Sequence, residues 1–246
     1  MHTKEFLHNQ LKNLGIARDD VVMFHSSLRA IGKTENGADG VIDALCEYLS
    51  DGLLVVPAYN WDTVNAENPL FDVKGDVTPS LGVLPRVFAK REGVQRSLHP
   101  THSLCAYGKK AVDFVAYEER VDVPCARNGC FGKLLDLNAK IILAGVTFER
   151  CSFLHLTEAE AGVPNYHTGH YQDLQIKMHD GTIINRPMFR HDRSCSDLYD
   201  RIMPYVKNAK IATFGKFGDA NCIVVSTYDL NRVASEVLAE NIEFFR

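Results

Sequence analysis

The sequence lacks the short motifs that mark several large enzyme classes. It contains no GxGxxG fingerprint, no Walker A loop and no GxSxG nucleophile elbow. These motifs hold a dinucleotide, a nucleoside triphosphate and a serine nucleophile, respectively. Nicotinamide-dependent, nucleotide-triphosphate and α/β-hydrolase chemistry therefore have no support in the sequence.

The sequence also lacks a long apolar segment and a strong net charge. No apolar run approaches the roughly 20 residues that a membrane-spanning helix needs, and the opening MHTKEFLHNQ has no signal-peptide core. The 27 Lys and Arg residues against 31 Asp and Glu residues leave a net charge of −4. We therefore expect a cytoplasmic protein with no nucleic-acid partner and no membrane partner.

The seven cysteines include no CxxC pair. An odd count without that spacing argues against a disulfide framework and against a zinc ribbon. His99 and His102 are close in sequence, but no HExxH pattern or nearby acid completes a zinc set, and we predict no metal. Cys151 lies four residues before His155, so a hydrolase or acyltransferase with a thiol nucleophile is a rival hypothesis.

The periodicity of apolar residues predicts an α/β fold. Strand, helix and strand follow one another at residues 21–24, 38–49 and 53–56, which is a βαβ unit and implies a parallel sheet. The polar segment 58–80 is predicted to be a long loop over the carboxyl edge of that sheet. Asp180-Gly181 between alternating runs predicts an antiparallel hairpin within residues 173–190. Further helices are predicted at residues 3–14, 81–91, 109–118, from near 153, 195–206 and 228–244, and further strands at residues 104–107, near 140, 209–217 and 220–226.

No repeat or linker divides the 246 residues. We predict a single domain over residues 1–246, with a largely parallel central sheet flanked by helices and an antiparallel hairpin appendage. The oligomeric state is open, and a homodimer would be compatible with the sequence.

The segment KIILAGVTFERCSFLHLTEAE, residues 140–160, carries the strongest chemical signal. A buried strand runs into a turn, and Ser152 is a candidate cap for a helix that begins near Phe153. On that helix His155 and Glu158 lie three positions apart and share a face. A carboxylate beside an imidazole fixes its tautomer and raises its basicity, as a general base requires. An ordinary buried or surface histidine beside a helix acid is the alternative interpretation.

Two further segments carry polar side chains near strands. HSSL, residues 25–28, follows a buried strand and suits either a polar ligand or a capping turn. RSLHPTHS, residues 96–103, precedes a strand and contains an arginine that would suit a phosphate, a carboxylate or a structural ion pair.

These segments, in this order, resemble the aminoglycoside 3-N-acetyltransferase family, a group of antibiotic N-acetyltransferases distinct from the GNAT fold. The resemblance runs from LGIARDDVVMFHSSLRAIG through LLVVPAYNWD and FDVKGDVTPSLGVLPRVFAKREGVQRSLHPTHSLCAYG to KIILAGVTFERCSFLHLTEAEAGVP. It implies an acetyl-CoA-dependent acyltransferase that acetylates an amine, with His155 as general base and Glu158 as its orienting group. It also implies antibiotic resistance as one biological role.

The resemblance further implies that the HSSL turn and the 96–103 loop line a CoA channel at the strand ends. The implied cofactor-binding residues are Ser26, Ser27, Leu28, Arg96, Ser97, His99, Pro100 and Ser103. A cationic amino sugar favours acids in its pocket, and the candidates in the long loop are Asp62, Glu67 and Asp72. Trp61, in the same loop, is a candidate either to line that pocket or to cap the core.

The acceptor remains open at this point. The slight net acidity and the Cys151-Ser152 pair, where the family usually has Asn-Thr, favour a biosynthetic amino-sugar or secondary-metabolite N-acetyltransferase as one alternative. A non-catalytic CoA-binding relative is another. The roles of Cys151, His167, His170 and His191 are open, and each of these histidines is more typical of a loop or surface position than of a ligand.

Overall fold

The computed structural model describes residues 1–191 and 196–246. Within these ranges the α-helices are α1 Lys4–Asn13, α2 Leu28–Ile31, α3 Gly37–Tyr48, α4 Val83–Phe88, α5 Ala111–Val115, α6 Cys130–Asp136, α7 Leu154–Ala161, α8 Met203–Asn208 and α9 Thr227–Glu240. Short 3-10 turns cover Pro79–Leu81, Glu118–Arg120, Phe148–Arg150 and Ser196–Ile202.

The strands form two sheets. They are β1 Val21–Ser26, β2 Leu53–Pro57, β3 Leu70–Asp72, β4 Gln95–Arg96, β5 Leu104–Gly108, β6 Lys140–Ala144, β7 Gln175–Lys177, β8 Ile183–Asn185, β9 Ala212–Phe217 and β10 Ala220–Ser226. The larger sheet has the order β4-β5-β2-β1-β6-β10-β9, and the smaller has the order β3-β7-β8.

The predicted fold class is confirmed as a mixed α/β fold with a sheet that contains parallel strands. The three central strands, β2, β1 and β6, run parallel. They are the strands whose apolar runs are buried on both faces, as expected for the middle of a parallel sheet. The outer pairings of β4, β5, β9 and β10 are all antiparallel, so the parallel part is smaller than predicted.

Two apolar layers cover the faces of the large sheet. Helices α1, α3 and α4 pack one face with side chains such as Leu11, Leu45 and Phe88. Helices α5 to α9 pack the other with side chains such as Phe131 and Leu230. Successive residues of β1 alternate between the two layers because side chains on a strand point to opposite faces.

The predicted hairpin is confirmed, and its setting was not predicted. β7 and β8 pair antiparallel around the turn that contains Gly181, whose φ of 88° suits glycine. β3 joins them in parallel, so the segment 58–80, predicted to be only a loop, contributes a strand. Phe71 on β3 and Ile176 on β7 belong to a small cluster of buried apolar side chains that packs against this sheet.

Several predicted boundaries are wrong in length. The helices predicted at 81–91 and 109–118 are reduced to Val83–Phe88 and Ala111–Val115. The helix predicted at 195–206 is a 3-10 turn, Ser196–Ile202, followed by a short α-helix, and its predicted first residue lies outside the described residues. Within the described residues, none of the helices combines the length and apolarity that a membrane crossing requires.

His25, on β1, provides a pH test of this core. Burial lowers the pKa of His25 to about 3, far below the value of about 6.5 in an unfolded chain. Below pH 6.5 the unfolded state therefore binds a proton that the folded state excludes, and stability falls as the pH falls toward 3.

We expect the variant His25→Asn to lose less stability on acidification than the wild type does. Between pH 6 and pH 4, the slopes of unfolding free energy against pH should differ by about 1.4 kcal/mol per pH unit. This is the slope that one bound proton contributes. Urea unfolding at several pH values measures it, with His170→Asn, which changes an exposed histidine, as the control. Equal slopes of unfolding free energy against pH for the wild type and His25→Asn would contradict the lowered pKa of His25.

Candidate active site

A cavity of about 400 Å³ opens at the carboxyl ends of the parallel strands. Its walls come from the chain that follows β2 and the chain that follows β6, with additions from the segments near residues 102, 190 and 197. Ligand sites in open α/β sheets lie at this edge, and the volume falls in the range of small-molecule pockets. The lining residues are Tyr59, Trp61, Ser80, Leu81, His102, Glu149, Arg150, Ser152, His155, Arg190, His191, Ser196 and Asp197.

His155 lies in the first turn of α7 and lines this cavity. Glu158, one turn later, is fully buried, and its Oε2 lies 3.4 Å from Nδ1 of His155. The hydroxyl of Tyr199 lies between them, 2.6 Å from Nδ1 of His155 and within hydrogen-bond distance of Glu158. The predicted pair therefore exists, and a tyrosine from a distant segment joins its two members.

The hydrogen bonds of Tyr199 define the tautomer of His155. A phenol has one proton, and the Tyr199 hydroxyl donates it to the Glu158 carboxylate. The contact with Nδ1 then requires the ring to donate to the Tyr199 oxygen. This tautomer carries its proton on Nδ1 and its lone pair on Nε2, which is the form that a general base needs.

Glu158 also has a cationic neighbour. A guanidinium nitrogen of Arg246 lies 3.8 Å from the second carboxylate oxygen, Oε1. A fully buried carboxylate is costly unless positive charge and hydrogen bonds compensate it. The Tyr199 hydroxyl supplies a hydrogen bond to Oε2, and Arg246 supplies positive charge near Oε1, which makes no hydrogen bond within the described residues.

Three imidazoles share one wall of the cavity. The ring centroid of His191 lies 4.3 Å from that of His155 and 4.8 Å from that of His102. Burial lowers the pKa of His102 and the pKa of His191 well below the usual value, and the neighbouring imidazoles add to the effect. Both rings are therefore neutral at physiological pH.

Ser152 does not cap α7, contrary to the prediction. The side chain of Ser152 instead bonds the hydroxyl of Tyr59, which connects the chain after β6 to the chain after β2. The position before α7 is Phe153, whose side chain makes no capping bond. Burial raises the pKa of Tyr59 well above its ordinary value, so the phenol keeps its proton for this contact.

Cys151 is fully buried and does not line the cavity. Burial raises the pKa of the Cys151 thiol to about 12. Because the thiolate is the nucleophilic form of cysteine, this environment opposes the rival hypothesis of a thiol nucleophile.

Arg96 is a buried anchor for the long loop. Its guanidinium donates to the carbonyl oxygens of Ala58, at 2.7 Å, and Gly75, at 2.8 Å, and to the side chain of Asn60. Its Nε donates to Ser103. These bonds tie both ends of the loop after β2 to the sheet, and they leave Arg96 directed away from the cavity lining.

The other predicted CoA-binding residues of this loop are buried in the same way. Ser97 accepts from the amide of Leu104, and Ser103 donates to a main-chain carbonyl. His99 accepts from two amides of its own turn, and burial lowers its pKa to about 4. Pro100 is buried beside them. Of the loop 96–103, the cavity lining contains only His102.

The HSSL turn lies at the same sheet edge, outside the cavity lining. Ser27 caps α2 by accepting from the amide of Ala30, and Ser26 and Leu28 are half-buried beside it. Helix α2 packs closely on Gly145, the residue that follows β6, where a Cβ atom would come within 2.3 Å of Ala30. The capping interpretation of this turn is confirmed, and its role toward CoA stays a prediction.

The acids predicted for an amino-sugar pocket are spread over the surface of the loop. Asp62 accepts from Thr78 and Ser80, Asp72 pairs with Lys177 at 2.9 Å, and Glu67 is exposed. None of the three lines the cavity, whereas Trp61 does. Among the residues that the structure describes, the acids that do line it are Glu149 and Asp197.

A mixed α/β fold with a ligand-sized cavity at its parallel strand ends, and with an imidazole held by a buried acid, has the arrangement of a small-molecule enzyme. Comparison with known proteins gives the family. Residues 23–239 match the family model for aminoglycoside 3-N-acetyltransferase. The chain belongs to this family, whose members are acyltransferases, and the resemblance noted in the sequence is confirmed.

Individual relatives of the chain are named members of the same family. Aminoglycoside N(3)-acetyltransferase IV of Salmonella sp is 30% identical over 230 residues, which cover 92% of this chain and 84% of that enzyme. Aminoglycoside N(3)-acetyltransferase VII of Streptomyces paromomycinus is 30% identical over 179 residues, which cover 66% of this chain and 62% of that enzyme.

Solved structures share the fold. A mutant of AAC(3)-IVa in complex with a gentamicin has a TM-score of 0.86 at 27% identity, covering 99% of this chain and 90% of that chain. AAC-IIIb in a binary complex with CoASH has a TM-score of 0.84 at 22% identity, covering 97% of both chains.

The contacts of Arg96 predict a large effect on stability. Replacement by methionine in Arg96→Met keeps an apolar stem but removes the arginine donor from the buried Asn60 side chain and from the part-buried Gly75 carbonyl oxygen, while the Ala58 carbonyl keeps its bond from Ser103. Each such group costs about 1–3 kcal/mol, so we expect a loss of roughly 3 kcal/mol in the free energy of unfolding. Urea denaturation measures this loss, and Lys90→Met, which removes a surface ion pair, should leave the midpoint close to that of the wild type. A midpoint for Arg96→Met equal to that of Lys90→Met would contradict the anchoring role.

Proposed function

We propose that this chain is an acetyl-CoA-dependent N-acetyltransferase that acetylates an amine of an aminoglycoside or a related amino sugar, and that residues 1–246 act as one unit. The observation that carries the proposal is the His155–Tyr199–Glu158 hydrogen-bond relay in the wall of the cavity. Family membership supports the reaction class, because the Salmonella and Streptomyces relatives are named aminoglycoside N(3)-acetyltransferases.

The charges of the cavity fit both substrates. Arg150 and Arg190 line it, and guanidinium groups are favoured partners for the phosphates of CoA. Glu149 and Asp197 line it too, and carboxylates attract a cationic amino sugar. Acetyl-CoA, when bound, supplies the acetyl group as a reactive thioester.

His155 acts on the acceptor amine. A simple alkylamine is protonated at neutral pH, with a pKa of about 10, and it must lose a proton to become a nucleophile. Nε2 of His155 takes this proton, while Nδ1 remains bonded to the Tyr199 oxygen. The positive charge that develops on the imidazole is stabilised through Tyr199 by the buried carboxylate of Glu158.

The test of the proposed reaction is release of CoA thiol from acetyl-CoA in the presence of a panel of aminoglycosides and amino sugars. The proposal predicts thiol release with at least one amine and a product whose mass is increased by one acetyl group. His155→Ala should lower kcat about 100-fold or more, the usual contribution of a general base. His170→Ala, which removes an exposed imidazole, should retain wild-type kcat. Equal background rates for wild type and His155→Ala with every amine would contradict the proposal.

Tyr199→Phe tests the relay. It keeps the buried ring but removes the hydroxyl that joins Nδ1 to Glu158, so the imidazole loses its fixed tautomer and its link to the carboxylate. Hydrogen bonds to charged groups contribute about 1.5–3 kcal/mol, and we expect kcat to fall roughly 10- to 100-fold, with little change in KM for acetyl-CoA.

The matched control for this variant is Tyr205→Phe, which removes the hydroxyl of a partly exposed tyrosine on α8. It should leave both constants unchanged. An unchanged kcat in Tyr199→Phe, or a rise in KM alone, would show that the hydroxyl has only a structural role.

A further inference from the structure

Three side chains with metal-binding atoms converge beside the cavity: His102 and His191, which line it, and Cys125, which is buried next to them. One ligand atom from each lies within 4.8 Å of the other two. They come from three segments that are far apart in sequence, before β5, between α5 and α6, and after β8. No part of the acetyl-transfer relay uses them.

The environment of His191 indicates a missing partner. Both of its ring nitrogens are buried, and neither meets the distance and angle limits of a hydrogen bond within residues 1–191 and 196–246. The nearest main-chain group that acts on the ring belongs to Tyr166. Buried polar side-chain atoms are nearly always paired, and an orphaned one needs an explanation such as an ion. A metal ion would account for one of these two nitrogens, and the thiol of Cys125 and a ring nitrogen of His102 lie close enough to share it.

The other two residues are held in place as ligands commonly are. Nδ1 of His102 bonds the hydroxyl of Thr101 at 2.9 Å, which orients the ring and leaves the other nitrogen available. Cys125 has a φ of 55°, a left-handed conformation that is strained for a residue with a Cβ atom. Strain of this kind is concentrated at functional sites.

The ligand set selects the metal. One thiolate and two imidazoles suit zinc in tetrahedral geometry, with bonds of about 2.0–2.3 Å. Ligand atoms around such an ion lie roughly 3.3–3.8 Å apart, so zinc would draw the three side chains together by about 1 Å. His102 and His191 line the cavity, which places the fourth coordination position on the cavity side.

We propose that His102, Cys125 and His191 bind one zinc ion beside the acetyl-transfer site. The ion crosslinks three separate segments of the chain and occupies one ring nitrogen of His191. This proposal is independent of the acetyl-transfer reaction, because it concerns metal binding alone. It also revises our sequence-based prediction of no metal, which considered His102 but could not place Cys125 and His191 beside it.

The test is zinc content. The chain of residues 1–246 is saturated with zinc, freed of excess by gel filtration and analysed by inductively coupled plasma mass spectrometry. We expect about one zinc per chain in the wild type and in Cys46→Ala, which removes a thiol on the far side of the fold, and at most a tenth of that in Cys125→Ala and in His191→Ala.

Cobalt substitution of the wild type provides a second measurement that depends on no variant folding. Co²⁺ bound by Cys125 gives a thiolate-to-cobalt charge-transfer band in the near ultraviolet, and zinc should abolish this band by displacement. Circular dichroism of the variants separates loss of ligands from loss of fold. A wild-type chain that retains no stoichiometric zinc and shows no cobalt–thiolate band would overturn the proposal, as would folded Cys125→Ala and His191→Ala variants that retain the wild-type zinc content.

Discussion

The active-site arrangement depends on the burial of one carboxylate. Glu158 has no exposed surface, so its charge is stabilised only by the groups that face it. Within the described part of the chain, the Tyr199 hydroxyl faces it on one side, with the His155 ring behind that hydroxyl, and Arg246 faces it on the other. The same contacts that make the buried carboxylate tolerable also hold the His155 ring in one tautomer, so stability and catalytic preorganisation share one set of hydrogen bonds.

The scaffold explains how this relay meets a substrate. The parallel strands β1, β2 and β6 end at the same edge of the sheet, so the segments that follow them lie close together there. The segments after β2 and β6 line the cavity. Arg96 fixes the long connection after β2 by bonding its main-chain carbonyl oxygens, and Tyr59 joins that connection to Ser152 ahead of α7. The position of His155 relative to the opposite wall is therefore set by buried polar contacts as well as by apolar packing.

The sequence predicted the features that depend on neighbouring residues. The apolar runs of β1, β2 and β6, the hairpin turn at Gly181 and the His155–Glu158 pair are all local patterns, and all are present. Tyr199 and His191 reach the site from positions far along the chain, and no local pattern marks either of them. The family resemblance implied a CoA contact for Arg96, and that role stays a prediction. A phosphate contact and a structural anchor look identical in a sequence, and only the fold shows which acceptors surround the guanidinium.

The central claim is that Nε2 of His155 faces the place where acetyl transfer occurs. A crystal structure of the chain with CoA and an amino-sugar acceptor tests it most directly. The account predicts that the CoA sulfur enters the cavity between Trp61 and His155, and that the acceptor nitrogen lies within hydrogen-bond reach, about 3 Å, of Nε2. A pantetheine arm bound elsewhere on the fold, or an acceptor nitrogen beyond the reach of His155 even through one bridging water, would contradict it.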